Sequence, residues 1–246
     1  MKKLLALLLS VLLCFSLAAC EEEDVELALD VAEVILEEVE RYEASQNASA
    51  DSVEEIPPFS GEAYVVINDN VPFFVEEELT TESYEYYSEL DALGRCGVTE
   101  ACIGIDIMPT EERGDIGSVK PSGWKSVKYD IVDGKYLYNR CHLIGFQLAG
   151  ENANKKNLIT GTRYLNIEGM LPFENMVADY VQETENHVLY RVTPIFDGED
   201  LVAQGVVMEG LSVEDAGEGI CFCVFAYNAQ PGVTIDYATG ESWLSE

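Results

Sequence analysis

Hydrophobic and polar positions divide the chain into three zones. Lys2 and Lys3 precede an apolar run from Leu4 to Ala19, closed by Leu17-Ala18-Ala19-Cys20. This run is shorter than the roughly 20 residues that span a bilayer, and its basic, apolar and small-residue parts are those of an export signal. Residues 21–58 are strongly acidic. Within them Val31, Ile35, Val39 and Tyr42 recur at helical spacing, in a stretch from Val25 to Tyr42 that has no Gly or Pro. Pro57-Pro58 ends this zone, and from Phe59 the pattern becomes that of a folded domain.

In that domain short alternating runs predominate. Tyr64–Ile67 reads as a strand and Asn68-Asp69-Asn70 as a turn. Val71–Val75 reads as a short edge strand, since it contains Pro72. Ile103–Met108 is a strand candidate after a loop from Gly94 to Gly104. Asp133-Gly134 between Lys128–Val132 and Lys135–Tyr138 predicts a hairpin whose second arm leads into Asn139–His142. Gly145–Thr160 is polar, Asn-rich and loop-like. A helix is expected from Arg163, broken or bent near Gly169, resuming from Pro172 to about Glu183. Val188–Phe196, Leu201–Met208 and Ile220–Tyr227 complete the strands, followed by a turn-like tail. The sum is an α+β domain with a mainly antiparallel central sheet.

Composition changes the picture at three points. The 246 residues carry a net charge of −32, which argues against a polyanionic partner unless positive charge is gathered somewhere. It is gathered: Arg113, Lys120, Lys125, Lys128, Lys135, Arg140, Lys155, Lys156 and Arg163 share a window with only Asp115, Asp130, Asp133 and Glu151. A polyanion could bind that face locally, because exposed charges are screened beyond about 8–10 Å. Cysteine usage matters too. Export permits disulfides, and Cys96 and Cys102 bracket a short loop and form the first candidate pair. Cys221 and Cys223 share a strand face and are poorly placed to bond each other. Leu17-Ala18-Ala19-Cys20 resembles a bacterial lipobox, which implies lipidation of Cys20 and a membrane anchor. The expected layout is a signal peptide over 1–19, an acidic tether over 20–58 and a folded α+β domain over 59–246.

The candidate chemistry centres on His142, one of two histidines. An imidazole with an ordinary pKa near 6.5 can serve as a general base at the end of a strand beside a polar loop. Asn166 offers a hard amide oxygen suited to Mg2+. Glu174 follows eight residues later, about two helical turns on. Arg140 and Arg163 could each grip a phosphate through a planar fork. His187 merely precedes a strand and reads as structural. Asn152, Asn154 and Asn157 read as turn formers, with Asn154 or Asn157 also a candidate substrate contact. Tyr136, Tyr138 and Phe146 read as core. A cysteine peptidase is excluded for Cys141 and His142, since neighbours on a strand point to opposite faces. A structural zinc site lacks the usual paired spacing.

Asn139-Arg140-Cys141-His142 resembles the Asp-Arg-Gly-His signature of the DNA/RNA non-specific endonucleases, the ββα-metal nucleases. The likeness runs from about Arg113 to Phe196. It includes Lys120-Pro121-Ser122-Gly123-Trp124 and Asn157-Leu158-Ile159-Thr160-Gly161-Thr162-Arg163, and is nearer to streptococcal-type secreted DNases and DNA-entry nucleases. The resemblance implies a ββα-metal core, His142 as base, Asn166 as the direct protein ligand of Mg2+ (Mn2+ a substitute) and Glu174 orienting metal-bound water. It further implies a DNA or RNA substrate and products with 5′-phosphate ends; Arg140, Arg163, Asn139 and Asn157 are the candidate substrate contacts. Two departures stand out. Asn139 replaces the signature Asp, leaving the partner that orients His142 open, and Cys141 replaces Gly. The alternative is a surface lipoprotein that binds nucleic acid or a protein partner without cleaving.

Overall fold

The computed structural model describes residues 56–245. The export signal, Cys20 and the acidic stretch through Val25–Tyr42 lie outside the described residues. Among the described residues no helix is long and apolar enough to cross a membrane.

The strands are β1 Tyr64–Val66, β2 Tyr84–Tyr87, β3 Thr99–Ile103, β4 Tyr138–His142, β5 Leu158–Thr162, β6 Val188–Ile195, β7 Gly205–Ser212, β8 Cys221–Tyr227, β9 Val233–Ile235 and β10 Ser242–Leu244. Six form the central sheet in the order β1-β8-β7-β6-β3-β2, every pair antiparallel. Alternation along these strands sorts side chains to two faces. Val192, Met208 and Val224 look toward the main core. Val207, Cys223 and Phe225 look the other way, into a smaller cluster with Ile67.

Two helices matter here: α1, Phe146–Ala149, and α2, Leu171–Thr184. Val177 and Val181 of α2 join Cys141 and Ile159 of the β4–β5 hairpin in the main core. The hairpin is a separate two-stranded sheet. Buried Asn228 ties it to the central sheet, accepting from Thr162 N (2.8 Å) and donating to the carbonyls of Thr160 (3.0 Å) and Ala203 (2.9 Å).

Several sequence expectations are corrected. Lys128 and Tyr136 meet in one isolated bridge, and β4 pairs with Leu158–Thr162, not with 128–132. The supposed loop 145–160 therefore contains α1 and the start of β5. The loop 94–104 likewise contains β3, which ends at Ile103 where a 104–107 turn begins. Val71–Val75 forms no strand but straps the outer sheet face. Phe73 N donates to Glu209 (2.7 Å) and the Phe74 ring lies 4.5 Å from the Arg191 guanidinium. Arg191 and Glu209, cross-strand partners on β6 and β7, form a buried ion pair at 2.9 Å. β7 starts at Gly205 rather than Leu201, because the amides of Leu201 and Val202 both bond the Tyr237 carbonyl (3.0 Å). The tail forms a β9–β10 pair.

The Cys96–Cys102 disulfide is also corrected. Both thiols are free and buried, and they serve different neighbours. Cys96 bonds the carbonyls of Lys155 and Leu158, while Cys102 bonds that of Thr80.

Candidate active site

β4, β5 and the following helix form a unit that brings distant residues to one cleft. The Thr162 hydroxyl accepts from Leu165 N (2.9 Å), capping the helix start as Ser and Thr do elsewhere. The helix does not break at Gly169. It widens into a π-helical stretch, Leu165–Met170, and continues directly as α2. Leu171 N bonds the Asn166 carbonyl, five residues back, and Pro172 follows with no N–H to place. Such bulges re-aim side chains within a helix. This one leaves Asn166 and Glu174 both lining the cleft.

His142 is 5% exposed and held at both ring nitrogens. Nε2 lies 2.8 Å from the Asn152 carbonyl and Nδ1 lies 3.1 Å from Arg113 Nη2. A carbonyl only accepts and a guanidinium only donates. Nε2 therefore carries the proton, and Nδ1 holds its lone pair toward Arg113. Burial, reinforced by the Arg113 charge and opposed by the Asn152 carbonyl, holds the imidazole pKa below its ordinary 6.5. The partner that sequence left open is thus a backbone carbonyl, and no described hydrogen bond joins Asn139 to His142. Asn152 also accepts from Gly114 N through its side chain (2.7 Å), fixing the loop that carries Arg113.

Glu174 reaches the same floor. A Cβ at position 145 would come within 2.6 Å of its Oε2, so Gly145, three residues beyond His142, leaves room for the carboxylate. Burial pushes the Glu174 carboxyl up to about 7, partly offset by Arg113. Asn166 lines the same cleft, its Oδ1 accepting from the Cys141 thiol at 3.1 Å. Among the described residues no three His, Cys, Asp or Glu side chains gather into a metal cage. The donors present are an amide oxygen and a nearby carboxylate. They fit a hard cation that keeps most of its waters.

The cleft measures about 1080 Å³. Arg113, Lys120, Lys125, Arg140 and Arg163 line it against a single acid, Glu174. The basic window of the sequence is thus gathered in space, though part of its charge is spent. Arg163 forks onto Asp133 (3.0 and 2.8 Å) and Lys125 pairs with Glu241 (2.6 Å). Arg140 donates Nε to the Val119 carbonyl and Nη2 to that of Gly117, and stacks 4.1 Å from Trp124. The two-pronged phosphate grip expected of Arg140 is therefore occupied by a loop.

Asn157 is corrected outright. It is fully buried, accepting from Ile144 N (2.8 Å) and donating to Ile144 O (2.9 Å), so it braces the chain just after His142 and offers substrate nothing. Asn154 caps the turn 155–157 by accepting from Lys156 N. His187 pairs with Glu214 as a structural side chain (2.6 Å). Asn139 is half-buried on the cleft wall. Tyr138 is buried as expected, whereas Tyr136 is half-exposed with Lys128 over its ring (4.3 Å). Sequence reasoning missed Arg113 and Asn152 as parts of the site. Arg113 lies 29 residues from His142, and Asn152 acts through its backbone, which no side-chain pattern reveals.

The raised carboxyl of Glu174 has a measurable consequence. Its folded pKa lies above the ordinary value, so its contribution to stability is present below pH 4.5 and lost as pH rises through about 7. In EDTA, Glu174→Gln should remove that loss, about 2–3 kcal/mol between pH 5 and pH 8. Thermal melts at the two pH values test this, and an unchanged pH slope in the variant would contradict it.

The profile of the DNA/RNA non-specific endonuclease family matches residues 76–213, which include His142, Asn166 and Glu174. NucA from Streptococcus agalactiae with a magnesium ion bound is similar in structure, with a TM-score of 0.68 and 26% identity, covering 81% of this chain and 95% of that one. The form with no metal bound matches at 0.68 and 25%. The Sda1 nuclease with bound zinc ion gives 0.64 and 26%, over 75% of this chain and 97% of the other. No curated protein matches. The chain belongs to the DNA/RNA non-specific endonuclease family.

Proposed function

We propose that the protein hydrolyses phosphodiester bonds of DNA, and of RNA where it meets it, with His142 Nδ1 as general base and Mg2+ held at Asn166. The observation that carries this is the neutral His142 tautomer: Nε2 is tied to Asn152, and the lone pair of Nδ1 is turned to a cationic cleft. Nδ1 takes the proton of a water, whose oxygen attacks phosphorus as the bond to the 3′-oxygen breaks; the products are a 5′-phosphate and a 3′-hydroxyl, whose proton comes from solvent. When bound, the cation supplies charge against the phosphate oxygens and the leaving oxygen. Mn2+ would serve as a substitute. Glu174 accepts a hydrogen bond from water beside Asn166.

Arg113 occupies Nδ1 in the free site, so it must exchange that contact for a phosphate oxygen before water can enter. Lys120 and Arg140 add positive potential, and Arg163 does so while held by Asp133. The rival reading is binding without cleavage through the Asn139 change; the reading as a nuclease is supported over it by His142 being held by Asn152 and Arg113, with no described hydrogen bond to Asn139.

The N-terminal segment is read as an export signal that delivers the enzyme outside the cytoplasm. Cys20 would carry the lipid, and residues 20–58 would hold the domain off the membrane.

Plasmid nicking tests the catalytic reading. Cleavage should require Mg2+, disappear in EDTA, and fall about 10²–10⁴-fold in His142→Ala. Because its base is held below 6.5, wild-type kcat/KM should keep an acid limb below that pH. Folded wild type that binds DNA but leaves it intact in Mg2+ would refute the proposal. Anchoring is tested separately: Cys20→Ala should move the protein from the membrane fraction to the medium, and unchanged membrane retention would count against lipidation.

A further inference from the structure

Cys141 is a thiol at the centre of the candidate site with no part in the chemistry above. It sits on β4 between Arg140 and His142, yet its side chain points to the opposite face and is fully buried. Its space is made by the neighbouring strand. A Cβ on Gly161 of β5 would lie 2.4 Å from Cys141 Sγ and 2.8 Å from its Cβ, so only glycine there admits the thiol. The thiol uses that space to reach Asn166 Oδ1 at 3.1 Å.

This contact answers a geometric need. The terminal torsion of an asparagine is broad and roughly two-fold, so rotamer preference alone does not decide whether oxygen or nitrogen faces a given side. A thiol is a weak donor, and an amide oxygen has two acceptor sites. A donor from below selects the oxygen and leaves its second lone pair free.

We propose that Cys141 is a positioning residue, which with Gly161 fixes the Asn166 carboxamide in the orientation that receives the divalent cation. This rests on the metal-dependent reading above. Partners behind a metal ligand commonly set affinity by fixing that ligand's orientation.

The test is Mn2+ binding to the whole protein by isothermal titration calorimetry, without nucleic acid. Wild type, Cys141→Ala, Cys141→Ser, Gly161→Ala and Asn166→Ala are compared, with melts in EDTA as a folding control. Cys141→Ala should weaken Mn2+ binding about tenfold. Cys141→Ser, which restores a donor, should recover most of that loss. Gly161→Ala keeps the thiol but displaces it, and should also weaken binding, which keeps the proposal testable if Cys141→Ala unfolds. Cys141→Ala and Gly161→Ala binding Mn2+ like wild type, while Asn166→Ala abolishes binding, would overturn this inference alone. Wild type that binds no Mn2+ would overturn the metal site at Asn166 and this inference together.

Discussion

The hydrogen bond from His142 Nε2 to the Asn152 carbonyl is the constraint on which the rest of the site depends. It sets which nitrogen keeps the lone pair, and it does so with a group that cannot titrate. A carboxylate partner would raise the basicity of the ring and would itself need shielding from an anionic substrate. The carbonyl orients the ring at no charge. Two neighbours brace its surroundings: Asn157 holds Ile144, and the Asn152 side chain pins the loop that carries Arg113.

Charge is the second constraint. A protein of −32 must admit a polyanion. It does so by gathering five cations around one carboxylate in a single cleft, within screening distance of an approaching phosphate. Some of those cations are already spent on Asp133, Glu241 and loop carbonyls, which keeps their side chains ordered. On the outer sheet face the logic reverses: the buried Arg191–Glu209 pair anchors the strap through Phe73 and Phe74, far from the chemistry in sequence and role.

The sequence revealed the strongly periodic and chemically unusual parts well. β6 and β8 were legible from alternation, and the family resemblance singled out His142, Asn166 and Glu174, which the fold brings to one cleft. What failed depended on pairing at a distance. Asp133-Gly134 signals a tight turn, but nothing local says that β4 prefers Leu158–Thr162 across a long, polar connection. Pro172 after Gly169 reads as a break or bend, whereas the helix runs on through a π-helical detour that leaves no mark in apolar periodicity. Arg140 and Asn157 carry the right functional groups, yet only tertiary contacts show that both are used for support. Arg113 is the converse: an ordinary surface arginine in sequence, it lies against the base in space.

Chemical rescue of the base tests the central claim most directly. Removing the imidazole in His142→Gly leaves an imidazole-sized space beside the Asn152 carbonyl and Arg113. This variant should be nearly inactive on plasmid DNA in Mg2+. Added imidazole should restore cleavage in proportion to its neutral fraction as pH is varied. A variant that cleaves at the wild-type rate without imidazole would contradict a general-base role for His142, since the proton would then leave by another route.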